Sequence, residues 1–296
     1  MILSRYQGLF FMSIALDRSQ LVFQKTERAL LRLSSGQNAE SVHAFRTATR
    51  RLQTLLEQLL PERDRKQKKL LKMLNRIRRR AGKVRDLDVQ LAALRSLKVP
   101  QEPRRKTQLM HRLIELRGKH EKKLRKMLTK DVIWELRKRL KRGAKDVRPE
   151  TSRDALKVAR SMLNEVVRPA GPVNEDVLHQ YRTVVKRARY AAEFAPKSAE
   201  AVQFISQVKR LQDAVGNWHD WLILTQAAAK QLGDVNQSSL VAVLHNVTGS
   251  KFRHAVAALS ASTIQPVVKP VSISSEQSRK VSTKSPTLVE GIESAA

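Results

Sequence analysis

Apolar positions recur every three to four residues along most of the chain, in long segments rich in Leu, Ala, Lys, Arg and Gln. That period is the signature of amphipathic helices built from good helix formers. Proline and glycine gather between the segments, at Gly36, Pro61, Pro100, Pro103, Gly143, Pro149, Pro169 to Pro172, Pro196 and Gly233. Reading between these breaks predicts eight helices, over about 13–34, 39–60, 64–98, 104–142, 151–168, 174–195, 198–231 and 237–261. From residue 265 the composition turns to Ser, Pro, Val and Lys with no period. A segment of that kind has no apolar face to bury, so 265–296 is expected to be a disordered tail.

The polar positions carry a second pattern. His43, Arg46, Thr47, Arg50 and Arg51 recur as His179, Arg182, Thr183, Lys186 and Arg187, 136 residues on. Each copy reaches a Glu fourteen residues after its His, at Glu57 and Glu193. Arg76, Ile77, Gly82, Arg85 and Asp86 then match Arg210, Leu211, Gly216, His219 and Asp220 at an offset of 134. A generic helical core does not require polar residues at shared spacing. The repeat therefore predicts an all-α fold of two pseudo-symmetric four-helix bundles made by duplication, over residues 1–150 and 151–264.

A helical wheel at about 100° per residue says where the repeated residues point. His43, Arg46, Arg50, Gln53 and Glu57 share one arc, and Phe45, Ala48, Leu52, Leu55, Leu56 and Leu59 lie opposite. His179, Arg182, Lys186, Arg189 and Glu193 repeat that design against Tyr181, Val184, Ala188, Ala191 and Ala192. The third helix adds a stripe of Arg65, Lys69, Lys72, Arg76, Arg79 and Lys83. Each half is thus expected to offer a cationic ridge headed by a histidine, the two ridges facing a common surface. Imidazole beside guanidinium suits phosphate oxygens. Glu57 and Glu193, set among bases, are expected to orient an Arg by a salt bridge.

Composition narrows the classes. The 296 residues hold 58 Lys and Arg against 27 Asp and Glu, a net charge of +31, which asks for an anionic partner. Residues 61–85 hold 12 Lys/Arg and 104–148 hold 18, whereas 196–264 hold six against four acids. With 41% apolar residues the chain is too hydrophobic for a disordered polycation. It has no cysteine, which excludes disulfides, thiolate metal sites and thiol chemistry. No apolar run is long enough to span a membrane, and the stretch Gly8 to Leu16 has no cleavage site after it. A soluble, cytoplasmic protein is expected, of unspecified oligomeric state.

The motifs VHAFRTATRRL, AGKVRDLDVQL, LHQYRTVVKRARYAAE and LQDAVGNWHD resemble the CHAD family, the conserved histidine α-helical domain, over about residues 13–262. The resemblance implies two four-helix bundles whose basic surface binds inorganic polyphosphate, and an association with polyphosphate granules. Carried over by motif, the implied phosphate contacts are His43, Arg46, Arg50 and Arg51, then His179, Arg182, Lys186 and Arg189. Arg76, Arg85 and Arg210 rank second, with Lys72, Arg79 and Lys83 on the same stripe as Arg76. Family members often carry a triphosphate-hydrolase domain, whose Glu-x-Glu-x-Lys signature is absent here. The chain is expected to be the binding domain alone.

Three functions compete at this point. A non-enzymatic polyphosphate binder needs many cationic donors and no stacking surface, which fits an aromatic content of 4%. Binding to nucleic acid suits the charge, but the chain has no zinc-finger spacing and no aromatic RNA-binding motif. Catalysis has His219 and Asp220 as a dyad like that of metal-dependent phosphohydrolases, without supporting ligands at suitable spacing. The phosphate loop G-x-x-x-x-G-K-[ST] is missing as well. The reading is a non-enzyme, with no metal or cofactor and with polyphosphate as partner.

Overall fold

A computed structural model of the protein describes residues 2–60, 64–98, 103–148, 154–165 and 172–262, with side chains from residue 16 onward. The domain boundary expected at residue 150 and the tail 265–296 lie outside the described residues. Among the described residues the elements are helices: α1 (Ile2–Ser35), α2 (Ala39–Thr54), α3 (Arg65–Ser96), α4 (Pro103–Arg125), α5 (Lys130–Asp146), α6 (Ala155–Asn164), α7 (Glu175–Ala192), α8 (Ala199–Leu232) and α9 (Ser239–Ser260). The all-α class read from the sequence is borne out.

Their starts follow from local chemistry. A helix begins with unpaired backbone N–H groups, and a short polar side chain just before it accepts from one of them. Asn38 does so for α2, Asp64 for α3, Asp154 for α6, Asn174 for α7 and Ser198 for α8. Gly233 ends α8 at a φ of 88°, a left-handed conformation that costs glycine no Cβ clash.

Three elements depart from expectation. Helix α1 starts at Ile2, well ahead of the start expected near residue 13. The helix expected over 104–142 is two helices, α4 and α5, interrupted at residues 126–129. No Pro or Gly marks the break. Thr129 makes it, its hydroxyl accepting from the Val132 N–H at 3.4 Å, with Asp131 in the first turn favoured by the helix dipole. The segment expected over 39–60 is α helix only to Thr54 and closes in a π-helical turn, Leu55–Leu59, where the Leu60 N–H reaches back to the Leu55 carbonyl at 3.2 Å. Leu55, Leu56 and Leu59 stay buried through that turn.

The helix pairs α1–α2, α2–α3 and α3–α4 in the first half parallel α6–α7, α7–α8 and α8–α9 in the second. Helix α5 has no counterpart among the described residues and packs on α1, where Arg137 donates to Glu27 at 3.0 Å. The buried apolar side chains form two clusters. The larger joins α1, α2, α5, α6 and α7 to the N-terminal parts of α3 and α8 and the C-terminal ends of α4 and α9, around Phe23, Phe45, Tyr181 and Trp218. The smaller joins the C-terminal parts of α3 and α8 to α4 and α9, around Leu91, Leu109, Leu224 and Leu244. Each cluster draws on both halves of the repeat. Full burial of a side chain such as Phe45 contributes about 1.5–3 kcal/mol, so separating the halves would forfeit many such terms.

Candidate functional site

Where α2 meets α7 and α3 meets α8, the polar faces of the four helices enclose a groove of ≈ 960 Å³. Ten Lys and Arg side chains against three Asp line it. Helix α2 contributes His43, Arg46, Arg50 and Arg51. Helix α7 contributes Arg182, Lys186, Arg189 and the ring of Tyr190, and α3 contributes Arg85 and Asp86. The amphipathic pattern explains the placement: Phe45, Leu52, Tyr181 and Ala188 are buried on the opposite faces and set the rotation of each helix.

His179 stands at the rim. Its ring meets that of His219, a groove residue, edge-on at 5.0 Å between centroids. The remaining candidates lie elsewhere. Lys72, Arg76, Arg79 and Lys83 on α3, and Arg210 on α8, are exposed and outside the groove lining. The stripe they form faces solvent because α3 meets α2 and α8 on other sides.

The structure also supplies groove residues that sequence reasoning missed. Helix α1 brings Lys25, Arg28 and Arg32, spaced as His43, Arg46 and Arg50 are. That spacing was the available signal, but none of the repeated motifs falls in α1. Helix α8 brings Gln212, Asp213, His219 and Asp220. Behind the groove, Arg78 is half-buried against α2 and donates to Asn75 at 3.0 Å.

Two contacts fix the guanidinium groups. Arg46 lies over α3 at Gly82, where a Cβ would overlap its Nη1, and reaches Asp86 at 3.8 Å. Arg51 donates from Nε and Nη2 to both carboxylate oxygens of Glu193, at 2.6 and 3.2 Å. Arg189 approaches the same carboxylate at 3.6 Å, and Arg51 and Arg189 each lie against the buried Tyr190 ring, at 5.5 and 5.1 Å from its centroid. Glu193 therefore orients an Arg as expected. Its counterpart Glu57 sits in the π-helical turn and accepts from Gln53 at 2.9 Å.

Burial and, after it, the density of positive charge show in protonation. Burial first, then Arg182, Arg50 and Arg46, pushes the Lys186 ammonium down to about 7, although Asp220 opposes this. Burial, then Arg182, His179 and Lys186, pushes His219 down to about 3. Burial and the cations Arg85, Arg46 and Arg51 lower His43. Burial and Arg50, Arg46 and Arg79 bring Arg78 down to about 10 against the pull of Glu57. Asp220 moves upward because burial and Asp86 outweigh Arg182, Lys186 and Arg85. The groove is an under-neutralised cluster of cations, and an anion placed in it would relieve that strain.

Fold and groove together define a protein of the all-α class with a cation-lined cleft between its helices. A family model described as the CHAD domain matches residues 16–229, and the chain belongs to that family. Among solved structures, the crystal structure of the CHAD domain from the plant Ricinus communis superposes with a TM-score of 0.59 at 17% identity. The match covers 86% of this chain and 89% of that one, and at this identity it shows the fold. No curated protein matches the chain. Among the described residues no helix is long and apolar enough to cross a membrane.

Proposed function

We propose that the protein binds inorganic polyphosphate, without turning it over, in the groove where the two histidine-headed ridges meet. One observation carries the reading: ten cationic side chains from α1, α2, α3 and α7 converge on a single ≈ 960 Å³ groove and hold only three carboxylates among them. A chain of tetrahedral phosphates presents charge at every unit and no bases. It therefore calls for guanidinium forks and ammonium donors along a cleft, and for no stacking surface. The one aromatic ring other than histidine in the lining, Tyr190, is buried beside Arg51 and Arg189 and offers no free face to a nucleobase. His43, Arg46, Arg50, Arg182 and Lys186 are the central contacts on this reading, with Arg85, Arg51, Arg189 and His179 around them. Through such binding the protein would gather at polyphosphate granules in the cytoplasm.

The test is calorimetric titration with polyphosphates of defined length. Charge reversal at Arg46, Arg50, Arg182 and Lys186 is compared with reversal of four Lys between 119 and 145. Binding is expected to fall steeply for the groove set and little for the outer set. Equal losses would reduce the site to a diffuse field, and displacement of polyphosphate by RNA at equal charge would favour a nucleic-acid binder. Orthophosphate released from polyphosphate by the wild type, and lost in a His43/His179 double variant, would make the protein an enzyme.

A further inference from the structure

The carboxylate of Asp220 is out of place in a groove for an anion. A carboxylate and an ionised phosphate oxygen are both acceptors, so the two repel unless a proton lies between them. The repeat sharpens the anomaly. Its counterpart Asp86 is exposed and has a partner in Arg46 at 3.8 Å. Asp220 is half-buried in the groove wall and makes no direct ion pair among the described residues. The charged groups facing it are Arg182 and Lys186 from α7 and Arg85 and Asp86 from α3, with His219 beside it on α8.

Resting on the polyphosphate reading above, we propose that Asp220 selects the end of a polyphosphate: it shares a hydrogen bond with the protonatable oxygen of a terminal phosphate and repels internal phosphates, which have no such proton. Arg182, Lys186 and Arg85 around it bind the remaining oxygens of that terminal group. The second ionisation of a phosphate monoester lies near pH ~6, so a terminal group readily supplies or takes up the single shared proton. Internal units carry one charge each and no exchangeable hydrogen at neutral pH. Burial holds the Asp220 carboxyl above its ordinary value, which favours its keeping that proton in mild acid. The Lys186 ammonium titrates too, but it faces either kind of phosphate and so affects both alike.

Linear tripolyphosphate has two protonatable ends, whereas cyclic trimetaphosphate has none. Titration of the full chain with each, at pH 6, 7 and 8.5, isolates the carboxylate from the general field. The wild type should favour the linear compound about tenfold at pH 6, the scale of a hydrogen bond to a charged group, and the preference should shrink as pH rises. Asp220→Asn, isosteric and without charge, should bind the cyclic compound more tightly than the wild type does. In that variant the linear preference should grow with pH, because the linear ligand then gains charge with no carboxylate opposing it. Glu200→Gln, at an exposed carboxylate outside the groove lining, should retain the wild-type trend, and circular dichroism checks that both variants fold. Equal wild-type binding of the two compounds, or an unchanged trend in Asp220→Asn, overturns the end-selection proposal while leaving the groove a polyphosphate site. Failure of both compounds and of long-chain polyphosphate to bind overturns the polyphosphate reading itself, and this proposal with it.

Discussion

The Arg51 guanidinium reaches across the repeat to hold both carboxylate oxygens of Glu193, at 2.6 and 3.2 Å. The pair joins the first half to the second at the groove's edge and keeps two of the groove's cations, Arg51 and Arg189, partly neutralised. Glu193→Gln frees both. It should tighten polyphosphate binding about two- to fivefold while costing about 0.5–1 kcal/mol of stability, the range for a half-exposed pair. Titration and urea unfolding measure the two effects, and weaker binding in this variant would mean that Glu193 serves by positioning Arg51.

The repeated glycines predict opposite outcomes. At Gly82 a Cβ would meet the Arg46 guanidinium, whereas at Gly216 nothing lies within 4 Å. Gly82→Ala should displace Arg46 and weaken polyphosphate binding about three- to tenfold, with little loss of stability because the displaced group is the end of a flexible side chain. Gly216→Ala should leave binding unchanged and stabilise α8 by about 0.5–1 kcal/mol through helix propensity. Thermal melts and titrations of the two variants side by side check the contrast.

What was legible in the sequence, and what was not, follows from the range of each interaction. The ridges of α2 and α7 could be read because helical period and duplicated spacing are local, and Phe45 and Tyr181 are buried as the wheel requires. The break before Thr129 went unread because a threonine cap replaces the usual Pro or Gly. Lys72, Arg76, Arg79 and Lys83 share a cationic stripe but lie outside the groove lining, because a wheel gives a face but not its neighbour, and that face meets solvent. The α1 cations and the partner of Glu193 depend on how the halves dock. Spacing alone would have paired Glu193 with Arg189, one turn away, and not with Arg51.

Lys25, Arg28 and Arg32 line the groove from α1, beyond the repeated ridges. Such an extension matters only to a ligand long enough to reach it. Replacing all three by Gln should leave pyrophosphate binding within about twofold while weakening long-chain polyphosphate. With about 0.7 counterions released per neutralised phosphate on a single strand, the slope of log affinity against log salt should become shallower by about 2. Titrations at several salt concentrations with both ligands give the answer, and an equal loss for pyrophosphate would place the α1 cations at the centre of the site.

Lys186 gives the groove a pH dependence with opposite signs for stability and for binding. Its ammonium titrates at about 7 in the folded protein and near its ordinary 10.5 when unfolded, so between those values the unfolded chain binds more protons. The stability of the ligand-free protein should therefore rise as pH climbs from about 7 towards 10.5, with the full penalty present below 7. A bound polyanion restores the charge and takes up a proton, so affinity should fall over the same window. Lys186→Met removes the buried cation: its melting temperature at pH 7 should exceed the wild type's by about 2–4 °C, the shift for roughly 1 kcal/mol in a chain of this size. The same variant should bind polyphosphate more weakly and lose most of the proton uptake, which appears as the dependence of binding enthalpy on the ionisation heat of the buffer. A variant that melts lower, or one that still takes up a full proton above pH 7, would move the titration from Lys186 to its neighbours.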